Sequence, residues 1–149
     1  MKKESPMKIT ECLNVEHGVF LTQLDVLEKM LRDNADADEI RACALLLAAA
    51  VEKHRALEEE LLYPAILRAF GQGFPPMRVM EAEHKEIERC IHDLDARRGD
   101  AATDARELAA VLREHIGKEV DVLFPMAERG VPSADLEQMA CRCAERHGR

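Results

Sequence analysis

The chain has no Trp, one Tyr and four Phe, so aromatic residues fill only 3% of its 149 positions. A core without aromatic bulk must be built from Leu, Ile, Val, Met and Ala, residues that suit helices. Glycine and proline are scarce too, seven and six in all, and long stretches contain neither. Both shortages favour an all-α fold. No apolar run is long enough to span a bilayer, and the opening MKKESPMK lacks the apolar segment of a signal peptide. No membrane association and a cytoplasmic location are therefore expected. The five cysteines include no CxxC pair, which predicts reduced thiols rather than a disulfide framework. Basic residues are outnumbered, 21 Lys and Arg against 29 Asp and Glu, giving a net charge of −8. That balance argues against a nucleic-acid partner, because a phosphate backbone needs clustered Lys and Arg.

What is present has the composition of a soluble globular protein, 47% hydrophobic and 34% charged, at a length suited to a single domain over residues 1–149. Punctuation divides it into four long segments and a tail. Helix one is expected from Thr10, read as its N-cap, to Arg32, before the polar run 33–36. Helix two runs from Asp38 to Phe70 and stops at Gly71-Gln72-Gly73, with Pro64 inside it to kink it or end its regular part. Pro75-Pro76 opens helix three, which reaches Ala96. Helix four covers Thr103 to Glu128, and Pro132-Ser133 introduces a short helix to Glu145. Short connections between long helices imply an up-down-up-down four-helix bundle, about 10–129, followed by a C-terminal helix.

Each long segment carries an apolar stripe at three/four spacing. The stripes read Leu13, His17, Phe20, Leu24, Leu27, Leu31; then Leu47, Val51, His54, Glu58, Leu61. The third gives Met77, Met80, His84, Ile87, Ile91, Leu94, and the fourth Leu108, Leu112, His115, Glu119, Val122, Met126. Six polar residues interrupt them: His17, His54, Glu58, His84, His115 and Glu119. Burying two carboxylates and four imidazoles among aliphatic side chains is costly unless something compensates them. A pair of divalent metals does so, and helix geometry helps. His54 and Glu58 are one turn apart on one face, as are His115 and Glu119. Imidazole and carboxylate ligands exclude a thiolate zinc site and suit iron, manganese or zinc.

The pattern also repeats. His54-x-x-x-Glu58 leads to Leu62-Tyr63-Pro64, and His115-x-x-x-Glu119 leads to Leu123-Phe124-Pro125, each unit preceded by a helix with one lone core histidine. This repeat implies a pseudo-twofold bundle. Tyr63 and Phe124 read as packing residues, Glu59 and Glu60 as a solvated face, and Cys43 as a small core residue. His92 reads as exposed, and His147 falls in the tail. Cys141 and Cys143, two apart on a helix, point to opposite sides and read as part of a docking tail rather than a metal or redox pair.

At these residues the sequence resembles the hemerythrin-like (HHE cation-binding) family over nearly the whole chain up to Glu128. The resemblance implies a non-haem di-iron centre of two Fe ions with an oxo or hydroxo bridge. His17 and His54 would serve one iron, His84 and His115 the other, and Glu58 and Glu119 would bridge them. One departure stands out. Oxygen-carrying hemerythrins use a fifth histidine one turn after the first on helix three, where this chain has Glu88. Unless Glu88 itself is a ligand, the centre is left more open, a state suited to sensing or reactive chemistry.

The first functional reading is therefore binding or sensing of O2 or a related small ligand such as NO or peroxide. A second is nitric oxide or peroxide turnover, or repair of iron–sulfur clusters. A third is iron storage or an iron-responsive interaction module. Nothing in the sequence names a protein partner, and an oligomer is compatible with it.

Overall fold

A computed structural model describes residues 6–147, with the side chains of Arg146 and His147 outside the description. Every regular element among the described residues is helical: α1 (Ile9–Arg32), α2 (Ala37–Leu57), α3 (Tyr63–Phe70), α4 (Pro75–Asp95), α5 (Ala101–Lys118), α6 (Phe124–Gly130) and α7 (Ser133–His147). Two π-helical segments, Glu58–Leu62 and Glu119–Leu123, join α2 to α3 and α5 to α6. Residues 37–70 and 101–130 are thus two continuous rods, which with α1 and α4 make the four helices of the expected bundle.

Local chemistry accounts for most boundaries. The Asp36 carboxylate accepts from the Asp38 amide at the start of α2, and Asp100 accepts from Thr103 at the start of α5. Prolines occupy the first turn of α4, where no amide hydrogen is needed. Gly71, at φ +97°, ends α3 in a backbone conformation that side chains rarely adopt. Gly130 ends α6 where a Cβ would overlap the Phe70 ring, so the α3–α6 contact requires glycine. Thr10 departs from expectation. α1 begins one residue earlier, with Lys8 as its cap, and the Thr10 hydroxyl instead donates to Glu128 at 2.8 Å, tying α1 to the end of α6.

The prolines of the repeat do not end their rods, although regular α-helix stops ahead of them, at Leu57 and Lys118. Each sits one residue beyond a π turn in which the amide of Tyr63 or Phe124 reaches back five residues to Glu58 or Glu119. Proline has no amide hydrogen, and its ring crowds the carbonyl four residues back. Widening the preceding turn accommodates both, and the rod continues.

The wide turn shifts the apolar face. Before it, the stripe of helix four is buried as expected: Leu108, Leu112, His115, Glu119. After it, Leu123, Phe124 and Ala127 are buried, whereas Val122 is exposed and Met126 half-buried. The expected Val122 and Met126 are corrected accordingly. On α4, Cys90 is buried where Ile91 was expected, and Ile91 is half-buried; on α2, Cys43 is half-buried beside a buried Ala44.

The core lies in two apolar clusters. One gathers Phe20, Leu24, Leu27, Leu47, Val51, Ile87, Leu108 and Leu112. The other gathers Leu13, Leu57, Leu62, Met77, Met80, Leu123 and Phe124, and α7 adds Leu136, Met139 and Cys143 to it by packing on α1. Cys141 on α7 is exposed, Cys143 is buried, and the cysteines at 12, 43, 90, 141 and 143 are all free thiols. No helix of the described residues is long and apolar enough to cross a membrane.

Candidate metal centre

Between the two apolar clusters lies a polar layer. On each rod the sequence passes from one cluster to the other through a site residue: Leu13, His17, Phe20 on α1, and Met80, His84, Ile87 on α4. All six expected residues are buried, none more than 4% exposed. They converge. His17 Nε2 is 3.3 Å from Glu119 Oε1, and His115 Nε2 is 3.0 Å from the same oxygen. His54 Nε2 and His84 Nε2 lie 3.5 and 3.6 Å from Glu58 Oε1. His84 and His115 bring their Nε2 atoms within 3.2 Å of each other.

Two groups of side chains have ligand atoms close enough together to hold a cation: His17, His54, Glu58 and Glu119, and Glu58, His84 and His115. His17 and His54 therefore fall together, as do His84 and His115, with Glu58 common to both groups. Glu119 touches both histidine pairs by distance.

The π turns explain how the carboxylates arrive here. Glu58 and Glu119 each open a π segment, directly after the last α-helical turn that holds His54 or His115. Wide turns of this kind recur at functional sites because they re-aim side chains without breaking the helix.

A second ring of polar groups stands behind the histidines. His84 Nδ1 donates to Glu59 at 2.9 Å, His115 Nδ1 to Glu83 at 3.1 Å, and His17 Nδ1 to Asn14 at 3.2 Å. His54 Nδ1 faces Glu16 at 3.5 Å. The pseudo-twofold is visible here: Glu16 and Glu83, each just before a lone histidine, back the histidine of a neighbouring rod. It is broken at one place. Val120 occupies the position equivalent to Glu59, and His17 uses Asn14 instead. Such outward partners fix the tautomer and orientation of ligating imidazoles and raise their basicity.

Glu59 is exposed, as expected, but its place behind His84, like those of Glu16 and Glu83 behind His54 and His115, escaped the sequence reading. The available signal was the Glu-His dipeptide at 16–17 and 83–84. Tyr63 also does more than pack. Its buried ring lies 5.3 Å from that of His84, and its hydroxyl donates to Glu119 Oε2 at 3.0 Å. Phe124, its counterpart in the repeat, stacks on His17 at 5.3 Å. The expected packing role holds for Phe124 and covers half of what Tyr63 does. Glu88 is exposed and does not line the site; the inward residue one turn after His84 is Ile87. His92 is exposed, as expected.

The inner atoms demand positive charge. With both Nδ1 hydrogens directed outward, neutral His84 and His115 would turn lone pairs toward each other and toward carboxylate oxygens. His17 Nε2, His54 Nε2, Glu58 Oε2 and Glu119 Oε1 are buried and make no hydrogen bond. Protons can supply the charge. Burial opposes a charged His54, but Glu58 and Glu16 beside it push its pKa up to about 10. Burial likewise opposes a charged His115, and Glu119 lifts it to about 9. Burial and the facing Glu119 carboxylate raise Glu58. Burial opposes a charged Glu119, but the Glu58, His115 and His17 side chains beside it hold it well below the carboxylate range. Burial keeps Tyr63 a neutral donor. Divalent cations satisfy the same demand more fully, with imidazole nitrogen and carboxylate oxygen as ligands. The residues fit a metal centre.

Fold and site together define a metal-binding helical bundle. The family model of the Hemerythrin HHE cation binding domain matches residues 8–127, and the chain belongs to that family. Over 137 residues the chain is 23% identical to a protein named DNA nickase from Nostoc sp. (strain PCC 7120 / SAG 25.82 / UTEX 2576). That match covers 90% of this chain and 37% of the relative, so the chain spans little more than a third of the relative's length. No solved structure matches the chain.

Proposed function

We propose that the chain holds two iron ions between its four rods and binds or senses O2 or a related small ligand there. His17, His54, Glu58, His84, His115 and Glu119 are the ligands. The carrying observation is the buried convergence of four Nε2 atoms on two carboxylates, with inner oxygens and nitrogens that make no hydrogen bond. A carboxylate shared by two histidine groups favours two ions over one, and the family match agrees with cation binding. Bound iron would supply the redox couple and the open coordination that these side chains lack.

The chain's own residues set the conditions. A small cavity of about 10 Å³ lies among the six site residues themselves, and Phe20, Val51, Ile87, Leu112 and Ile116 give it an apolar wall. It has room for about one water-sized guest. An apolar wall of this kind favours small neutral ligands over ions, which lose hydration there. Tyr63 places one neutral hydroxyl at the Glu119 side, where it orients that carboxylate. The net charge of −8 offers little to a phosphate backbone, which favours a small-molecule ligand over nucleic acid.

Aeration of the reduced, iron-loaded protein tests the reading. A spectral change that reverses when oxygen is removed supports binding or sensing. Steady consumption of nitric oxide or peroxide above that of free iron would replace it with an enzymatic role.

A further inference from the structure

Twelve side chains line the cavity, the six site residues among them, and all are buried except Arg55. Arg55 sits on α2 directly after His54. Its Nη2 donates to Glu52 at 2.5 Å and its Nη1 to Glu59 at 3.3 Å, one partner on each side along the same rod. Glu88, across on α4, adds a third negative charge near it. Its Nε is buried without a hydrogen bond, so the base of the guanidinium lies over the cavity while its outer edge is held by the carboxylates.

We propose that Arg55 is the gate of the ligand cavity: its side chain plugs the mouth between α2 and α4, and Glu52 and Glu59 latch it shut. The inference rests on the reading that the site holds a metal. The eleven other lining residues are packed into the bundle, so a guest passing between solvent and the cavity meets Arg55 first. Two facing carboxylates neutralise the guanidinium, which makes it a poor anion trap and suits it to work as a movable plug. The latch also reaches the centre, because the same Glu59 that accepts from Arg55 accepts from His84 Nδ1. The hydrogen-bond partners of Arg55 are Glu52 and Glu59 and not an inner ligand, so its part is to set access, and its effect is on rates.

The chain carries its own probe. Tyr63 is its one Tyr, Trp is absent, and the Tyr63 hydroxyl lies within the polar layer. In metal-free protein, Arg55→Ala should raise quenching of Tyr63 fluorescence by dissolved dioxygen severalfold, with Arg55→Lys between it and the native chain. In iron-loaded, reduced protein, Arg55→Ala should speed both association and dissociation of nitric oxide. Two partly exposed ion pairs imply an effect of about tenfold on each rate, with their ratio unchanged. Unchanged quenching together with unchanged nitric oxide rates would overturn the gate. A changed ratio, with only one rate altered, would also overturn it, since Arg55 would then act on the bound state, by contact or through Glu59 and His84, rather than on passage. Failure of the native chain to bind iron would instead sink the metal reading, and the quenching comparison would still decide whether Arg55 closes the cavity.

Discussion

Each buried histidine of the polar layer shows an inner nitrogen to the carboxylates and an outer nitrogen to a polar partner. That division makes the outer carboxylates testable apart from the ligands. Glu59→Gln and Glu83→Gln keep the shape and remove the charge behind His84 and His115. Each should weaken metal affinity by about 10- to 100-fold without emptying the site. Competition with a chelator of known affinity measures this, and native affinity in both variants would contradict it. The charge state of the layer gives a second prediction. His54 and His115 have folded pKa values of about 10 and 9, raised above their ordinary 6.5. Their contribution to the metal-free fold is therefore complete below pH 6.5 and is lost as pH rises through about 9 to 10. At pH 7.5 both are protonated, so metal uptake should release protons, those of His54 and His115 among them. Titration calorimetry in buffers of different ionisation enthalpy reads this directly, and heats independent of buffer would refute it. All six inner residues were legible in the sequence because each interrupts an apolar stripe. The outer ring was not, because a carboxylate at the edge of a buried face has the same spacing as one in open solvent.

At the scale of the helix, the two π turns decide more than the repeat alone reveals. Each aims its glutamate into the layer, and the second moves the following apolar face by one position. Periodicity of 3.6 predicts Val122 and Met126 as core, and the wide turn substitutes Leu123, Phe124 and Ala127. Proline at the same offset in both repeats was the visible clue, but it indicates disruption without saying whether the rod bends, stops or widens. The shift yields a paired prediction. Phe124→Ala should cost about 3–5 kcal/mol, as for a large buried aromatic, while Val122→Ala should cost about 0.5 kcal/mol or less. Denaturant melts of the two variants separate the registers, and equal costs would favour an uninterrupted α-helix. The boundaries of the long helices were legible to within a few residues from glycine, proline and aspartate. The role of Thr10 was not, since a threonine near a helix start reads as a cap whether or not another helix accepts its hydroxyl.

Across the whole molecule, a thin polar layer divides one bundle into two apolar halves, and α7 closes the half nearest Phe124. Short loops between long helices made the bundle legible, whereas the docking of α7 on α1 was not, because an amphipathic tail can cover any apolar face. A layer that needs positive charge couples metal to folding. At metal concentrations about a thousand times the dissociation constant, binding adds roughly 4 kcal/mol, or about 10 °C in melting temperature for a chain of this size. Scanning calorimetry with and without a chelator checks this, and coincident melts would show that the layer is satisfied without metal.

The central claim is that the six inner residues hold two iron ions, and counting the iron tests it most directly. Protein purified from iron-replete cells, or reconstituted without oxygen, should carry about two irons per chain. His54→Ala and Glu58→Ala should lose stoichiometric iron, and His92→Ala, altered at an exposed histidine, should keep it. No iron in the native chain after both treatments, or full iron in the His54 and Glu58 variants, would contradict the account.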